Sequence, residues 1–167
     1  MSLRKSFTRK EASSMAAERL NINEIDPQAF QPMYAMEKYI HGGTLGEDLL
    51  ALVKIRASQI NGCAYCLDMH GREAREAGVD NRRLDVLAGW REATALFSPR
   101  ELAALALTEA VTMISAGGVP DDVWNDAAAQ FPGTEMPLLL MAISAINVWN
   151  RLAVTTHQTL PNMPAAV

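Results

Sequence analysis

The chain has 167 residues, of which 49% are apolar and 20% charged, and its formal net charge is −4. A chain of this length and apolar content can bury its own core, which excludes a disordered protein, so we expect a single domain over residues 1–167. Because nucleic-acid binding depends on basic surface, the negative charge gives no reason to expect DNA or RNA as a partner.

The N-terminal stretch is polar and carries a basic cluster made of Arg4, Lys5, Arg9 and Lys10. We predict a flexible tail over residues 1–13. This stretch lacks the apolar segment of a secretory signal, and the longest apolar run, residues 136–146, is shorter than a bilayer crossing requires. We therefore expect a cytoplasmic protein with no membrane partner.

Helical periodicity recurs from Pro27 onward, and no alternating run of β-branched residues indicates a strand. The predicted helices cover residues 27–40, 45–61, 64–77, 82–92, 99–115, a stretch from 120 onward, and 134–158. A capping box of Ser98 and Glu101, with Pro99 at the first helical position, marks the start of the fifth helix. The pattern predicts an all-α, multi-helix domain without internal repeats.

The segment from Asn61 to His70 reads NGCAYCLDMH and contains both cysteines of the chain, Cys63 and Cys66. In a cytoplasmic protein, where thiols are kept reduced, such cysteines indicate catalysis or metal binding before a structural bridge. Cys66 and His70 are four residues apart and are neighbours on a helix, where an imidazole stabilises the reactive thiolate. Cys63 lies three residues earlier, near the positive end of the helix dipole, so both thiols are predicted to be acidic.

The spacing of the two cysteines also permits a disulfide across one helical turn, which suggests a catalytic cycle. A thiolate attacks a peroxide and becomes a sulfenic acid, and the second thiol condenses with it. A dithiol reductant, either a protein or a small thiol, then reduces the disulfide. We assign peroxide attack to Cys66, because His70 is its neighbour, and resolution to Cys63; the reverse order stays open.

Several other uses of these residues were considered. A zinc site would need a fourth ligand, such as His41 or His157, which lie far away in sequence. Covalent haem attachment needs a histidine directly after the second cysteine, where Leu67 stands, and thioredoxin-like chemistry needs a βαβ setting that the chain lacks. Two inert, buried cysteines are the remaining alternative. The register between Cys66 and His70 favours catalysis.

At these residues the chain resembles the AhpD-like alkylhydroperoxidases of the carboxymuconolactone decarboxylase superfamily. The likeness covers residues 27–153 and rests on residues 54–70 (KIRASQINGCAYCLDMH), 89–92 (GWRE), 97–101 (FSPRE) and 147–152 (NVWNRL). The resemblance implies an all-helical fold, homo-oligomers such as trimers or hexamers, and thiol-dependent peroxide reduction without a bound cofactor. It carries the functional pair and the histidine over to Cys63, Cys66 and His70.

The sequence departs from that family at one position. The family commonly has a glutamate twelve residues before the first cysteine, and the resemblance implies that this glutamate takes part in a proton relay. In this chain the position is occupied by Ala51. Glu47 lies one helical turn earlier and could substitute only in a shifted or bent helix. The departure predicts weak peroxidase activity by the usual proton route.

Other polar and aromatic residues are given structural roles. Glu109 lies among apolar residues and could be a replacement acid. We favour a structural role instead, either a buried or interfacial ion pair, for example with Arg56, or a charge that extends to water. Trp90 and Trp149 are interpreted as packing residues. The rival functions are a decarboxylase of the same superfamily, which needs no thiol pair, and a redox-sensing oligomeric module that uses the disulfide as a switch.

Overall fold

The computed structural model describes residues 18–161, so the tail predicted over residues 1–13 lies outside the described residues. Within them the chain is helical and has no strand, which confirms the all-α prediction. The α-helices are α1 (Ile22–Ile25), α2 (Gln31–His41), α3 (Glu47–Asn61), α4 (Ala64–Glu76), α5 (Asn81–Val86), α6 (Pro99–Thr112), α7 (Asp121–Gln130) and α8 (Glu135–Thr156). Short 3₁₀ helices occupy Pro27–Phe30, Leu87–Glu92, Thr94–Leu96 and Ile114–Ala116.

The predicted helices correspond to observed ones, with differences where an α-helix gives way to a 3₁₀ helix. The helix predicted over residues 82–92 is divided into α5 and the 3₁₀ helix Leu87–Glu92, which is itself interrupted at Gly89 (φ −108°, ψ 27°). The helix predicted over residues 99–115 ends as an α-helix at Thr112. The sequence did not predict α1, because four residues are too few for a helical period to be recognised.

The predicted helix start at Ser98 is confirmed. The Ser98 side chain accepts a hydrogen bond from the Glu101 backbone N–H, and the Glu101 carboxylate accepts one from the Ser98 backbone N–H. Pro99 occupies the first turn, where its missing N–H costs nothing. The two reciprocal hydrogen bonds fix where α6 begins.

α3 is the central helix and packs against α4, α6 and α8. Leu52, Val53 and Ala57 are fully buried, and side chains are buried on most sides of the helix. α8 supplies the opposing surface, including the fully buried Ile143 and Ile146. Because α3 leads directly into the cysteine segment, this packing holds the start of α4 against the core.

α8 corrects one expectation about length. Over Glu135–Thr156 it is long and apolar enough to cross a membrane by length and composition, whereas no apolar run of that length was expected. Half of this stretch is buried inside the protein. A buried core helix of a soluble protein satisfies the same criterion.

The predicted ion pair of Arg56 and Glu109 is confirmed. Arg56 donates to Glu109 Oε1 at 2.8 Å, Trp90 Nε1 donates to the same oxygen at 2.8 Å, and Arg91 donates to Oε2 at 2.7 Å. Burial opposes ionisation, but these three hydrogen bonds outweigh it and hold the pKa of Glu109 below its ordinary value. Glu109 is therefore a carboxylate in a structural cluster that joins α3, α6 and the chain between α5 and α6.

Candidate active site around the cysteine pair

The two cysteines lie at the junction of α3 and α4. α3 ends at Gly62, whose φ of 68° is readily adopted by glycine, and Cys63 is the N-cap residue of α4. The Cys63 sulfur accepts a hydrogen bond from the Cys66 backbone N–H at 3.3 Å. The two sulfurs are joined in a disulfide, with Cα atoms 5.4 Å apart, and the residues are only 1% and 2% exposed. The structure therefore contains the oxidised form of the pair.

His70 lies one turn after Cys66 and is 4% exposed. Its Nδ1 is 2.6 Å from Glu73 Oε2, and this hydrogen bond is the main cause that lowers the pKa of Glu73, outweighing burial. An ionised Glu73 accepts the Nδ1 proton, so the neutral ring leaves Nε2 unprotonated. His70 Nε2 is buried and has no hydrogen-bond partner. The arrangement provides a free basic nitrogen one turn from a cysteine.

Cys66 and His70 line a cavity of about 330 Å³, which is large enough for a small organic molecule. Three aromatic side chains, Phe30, Tyr34 and Trp149, form another part of its wall, with ring centroids 5.2 to 6.2 Å apart. Trp149 thus has a place at the cavity as well as the packing role predicted from sequence. We call this the first cavity.

A buried lysine lies at the centre of a polar network in the first cavity. Lys54 Nζ donates to Glu37 Oε2 at 2.8 Å and lies 3.0 Å from His41 Nε2, and its side chain is 4% exposed. Glu37 also accepts a hydrogen bond from Trp149 Nε1 at 2.9 Å, and His41 Nδ1 lies 2.8 Å from Glu47 Oε1. The network places a cation and a carboxylate in the cavity that contains Cys66.

Sequence reasoning missed this network. His41 was considered only as a zinc ligand, Lys54 only as part of a family-like segment, and Glu37 not at all. One signal was available, because Lys54 stands between Val53 and Ile55 in a strongly apolar helix. A lysine at such a position is buried only when it is paired, and a buried pair is a candidate site.

The position of the expected family glutamate, Ala51, does not lie in the first cavity. Ala51 is buried and faces a separate cavity of about 350 Å³ that Lys54 and Glu73 also line. Glu47, one turn earlier, begins α3, lies 2.8 Å from His41 Nδ1 through its Oε1 atom, and lines the same separate cavity as Ala51 rather than the first cavity. Glu109 does not line the first cavity, so the replacement-acid interpretation gains no support.

The predicted residues do not all share one cavity. Cys66 and His70 line the first, whereas Cys63 lines a second cavity of about 320 Å³. Across residues 18–161 no group of three or more His, Cys, Asp or Glu side chains could hold a metal ion. Neither His41 nor His157 therefore joins the cysteine pair in such a group.

Known proteins resemble this chain in both sequence and fold. A family model described as "Carboxymuconolactone decarboxylase family" matches residues 27–110. The uncharacterized protein YdfG of Bacillus subtilis (strain 168) is 36% identical over 138 residues, covering 83% of this chain and 93% of its own.

Two solved structures share the fold. One is a protein of unknown function from Agrobacterium tumefaciens, described as a candidate AhpD antioxidant defence protein. It has a TM-score of 0.83 and 37% identity over 88% of this chain and 100% of its own. The other is an uncharacterized peroxidase-related protein from Silicibacter sp. TM1040, with a TM-score of 0.68 and 23% identity over 85% of this chain and 72% of its own. The second likeness shows the fold alone.

Proposed function

This chain belongs to the carboxymuconolactone decarboxylase family and resembles its AhpD-like members, and on that premise we propose that it is a thiol-dependent peroxidase. Its substrates are hydrogen peroxide or organic hydroperoxides, and Cys63, Cys66 and His70 are its catalytic residues. One observation carries the proposal: the cysteine pair is a disulfide one helical turn from a buried, unpartnered imidazole nitrogen. An inert pair would have no use for such a base.

The first chemical step uses Cys66. In the reduced protein His70 Nε2 takes the proton of the Cys66 thiol, and the thiolate attacks the terminal oxygen of the peroxide. The S–O bond forms as the O–O bond breaks, and the departing alkoxide or hydroxide receives the proton held by His70. Cys66 becomes a sulfenic acid and the peroxide is reduced to an alcohol or water.

The second step uses Cys63. Its thiolate is stabilised by the backbone N–H of Cys66, which is 3.3 Å away, and attacks the Cys66 sulfur. The S–S bond forms, the S–O bond breaks, and hydroxide leaves and is protonated to water. A dithiol reductant then supplies the two electrons that restore both thiols.

We further propose that the network around Lys54 substitutes for the absent family glutamate. Glu37 lies in the first cavity with its carboxylate 2.8 Å from Lys54 Nζ, and His41 lies 3.0 Å from the same nitrogen. Each contact is short enough to pass a proton along a hydrogen bond. Glu37 reaches the first cavity from α2, whereas position 51 of α3 lines the separate cavity that Lys54 and Glu73 also line.

The two rivals differ in what supports them. The decarboxylase requires no thiol pair, and no contact at the cavity favours it over thiol chemistry. The redox switch is supported by the disulfide together with Ala51, because oxidation without a proton relay would be slow to repeat. Assembly into trimers or hexamers and a cytoplasmic location stay predictions.

A single-turnover experiment tests the proposal. Reduced protein mixed with one equivalent of hydrogen peroxide is expected to lose both thiols and form the Cys63–Cys66 disulfide as one peroxide disappears. Thiol titration, peroxide assay and mass spectrometry follow the three changes, with a Cys63→Ser, Cys66→Ser double variant as the matched control. Oxidation no faster than that of free cysteine at the same pH would contradict it.

A further inference from the structure

We propose that the reductant enters at Cys63, through the second cavity, while the peroxide enters at Cys66 through the first. This inference rests on the proposed peroxidase function and adds to it a separate binding site for a dithiol. The second cavity measures about 320 Å³ and reaches the disulfide only at its Cys63 end. A small dithiol fits a space of this size.

The two cavities are separated by side chains they have in common. Tyr65, Ala153 and Gln158 line both, so they form the wall between them. Cys66 lines the first cavity and not the second, and Cys63 lines the second and not the first. Each sulfur is therefore reached from its own side of that wall.

The charges in the two cavities favour different ligands. A reductant attacks as a thiolate, and in the first cavity the two carboxylates of Glu37 and Glu73 outnumber the single ammonium of Lys54, which Glu37 already pairs. None of the described residues that line the second cavity is acidic, and His157 stands at its edge. A neutral peroxide is indifferent to the carboxylates, whereas an anionic thiolate is repelled by them.

The leaving group also favours attack at Cys63. When a reductant thiolate bonds to the Cys63 sulfur, the disulfide breaks and Cys66 leaves as a thiolate into the first cavity. There His70 Nε2, which has no other partner, stabilises the thiolate once it carries a proton, and a stabilised thiolate leaves faster. The second thiol of the reductant then attacks its own sulfur in the mixed disulfide and releases Cys63. The reductant departs as a cyclic disulfide, having given up two electrons and two protons.

The turn that ends α8 forms the rim of the second cavity. His157 ends α8 with a φ of 54°, the only non-glycine residue among 18–161 with a positive φ. The turn directs Gln158 and Thr159 back along the cavity, and the Gln158 N–H bonds to the Ala153 carbonyl at 2.9 Å.

Filling the second cavity tests the inference. Val154 lines it and is 43% exposed, whereas Val148 lies on the same helix, lines neither cavity and is 39% exposed. Val154→Trp, and Thr159→Trp from a different segment, are expected to slow disulfide reduction by dihydrolipoamide about tenfold. Val148→Trp is expected to match the wild type. All proteins are first oxidised with diamide, so the measurement does not depend on peroxidase activity.

A second readout separates this inference from the proposed function. Single-turnover oxidation by hydrogen peroxide should be within twofold of wild type in Val154→Trp and Thr159→Trp, because the first cavity is untouched. Reduction rates equal to wild type in both filled variants would overturn entry at Cys63. Slow oxidation of the wild type by hydrogen peroxide would contradict the proposed peroxidase function. The reduction rates would still test entry at Cys63, because diamide rather than peroxide forms the disulfide in that experiment.

Discussion

Replacing Cys66 by serine is expected to abolish peroxide reduction, lowering the second-order rate constant for peroxide about a thousandfold or more. A serine hydroxyl is not ionised near neutral pH and cannot replace the thiolate that attacks the O–O bond. Stopped-flow consumption of hydrogen peroxide by the reduced variant provides the measurement. Cys66 is buried within the first cavity, so the small change of sulfur to oxygen leaves the packing intact.

Cys63→Ser is the matched control for this prediction. It retains Cys66 and His70, so the first oxidation should proceed near the wild-type rate and stop at a sulfenic acid. Dimedone trapping followed by mass spectrometry should then place the label on Cys66. A fast first step in Cys66→Ser, with the sulfenic acid on Cys63, would show that the order of attack is reversed.

Replacing His70 by alanine is expected to lower the rate of the first oxidation about a hundredfold at pH 7. Without the base at Nε2, the thiolate fraction follows the ordinary ionisation of cysteine near pH 8.5. The deficit should therefore shrink as the pH rises past about 8.5. The pH dependence of single-turnover oxidation between pH 6 and 10 gives the readout.

Glu73→Gln separates a positioning role from a catalytic one. The hydrogen bond from His70 lowers the pKa of Glu73, so the carboxylate is ionised throughout this pH range and holds the proton on Nδ1. The amide of glutamine is a weaker acceptor for the Nδ1 proton of His70. We expect a loss of about tenfold, the lower end of the effect of removing a carboxylate partner from a metal-bound histidine. Parallel pH profiles for wild type and His70→Ala would contradict a base at His70.

The parts of the site that were predictable depend on local spacing. Cys66 and His70 lie one turn apart on α4, and Ser98 and Glu101 form the capping box, because both arrangements involve residues three or four apart. The presence of the longer helices was predicted from the same spacing of apolar residues. The division of residues 82–92 did not, since the pattern continues through the change from α-helix to 3₁₀ helix.

The parts that sequence reasoning missed depend on packing between helices. Glu37 and His41 come from α2, and Lys54 comes from α3, so their hydrogen bonds join residues 13 and 17 positions apart. No local period signals such a contact. The second cavity is equally hidden, because it forms where the chain turns back after His157 and meets the start of α4.

Steady-state consumption of hydrogen peroxide by the wild type, with dihydrolipoamide in excess, tests the central claim most directly. The account predicts many turnovers per chain above the rate without protein, and none with the Cys63→Ser, Cys66→Ser double variant. A wild type that forms its disulfide once and then matches the rate without protein would contradict catalysis. That result would identify the cysteine pair as a redox switch on a peroxidase-like fold.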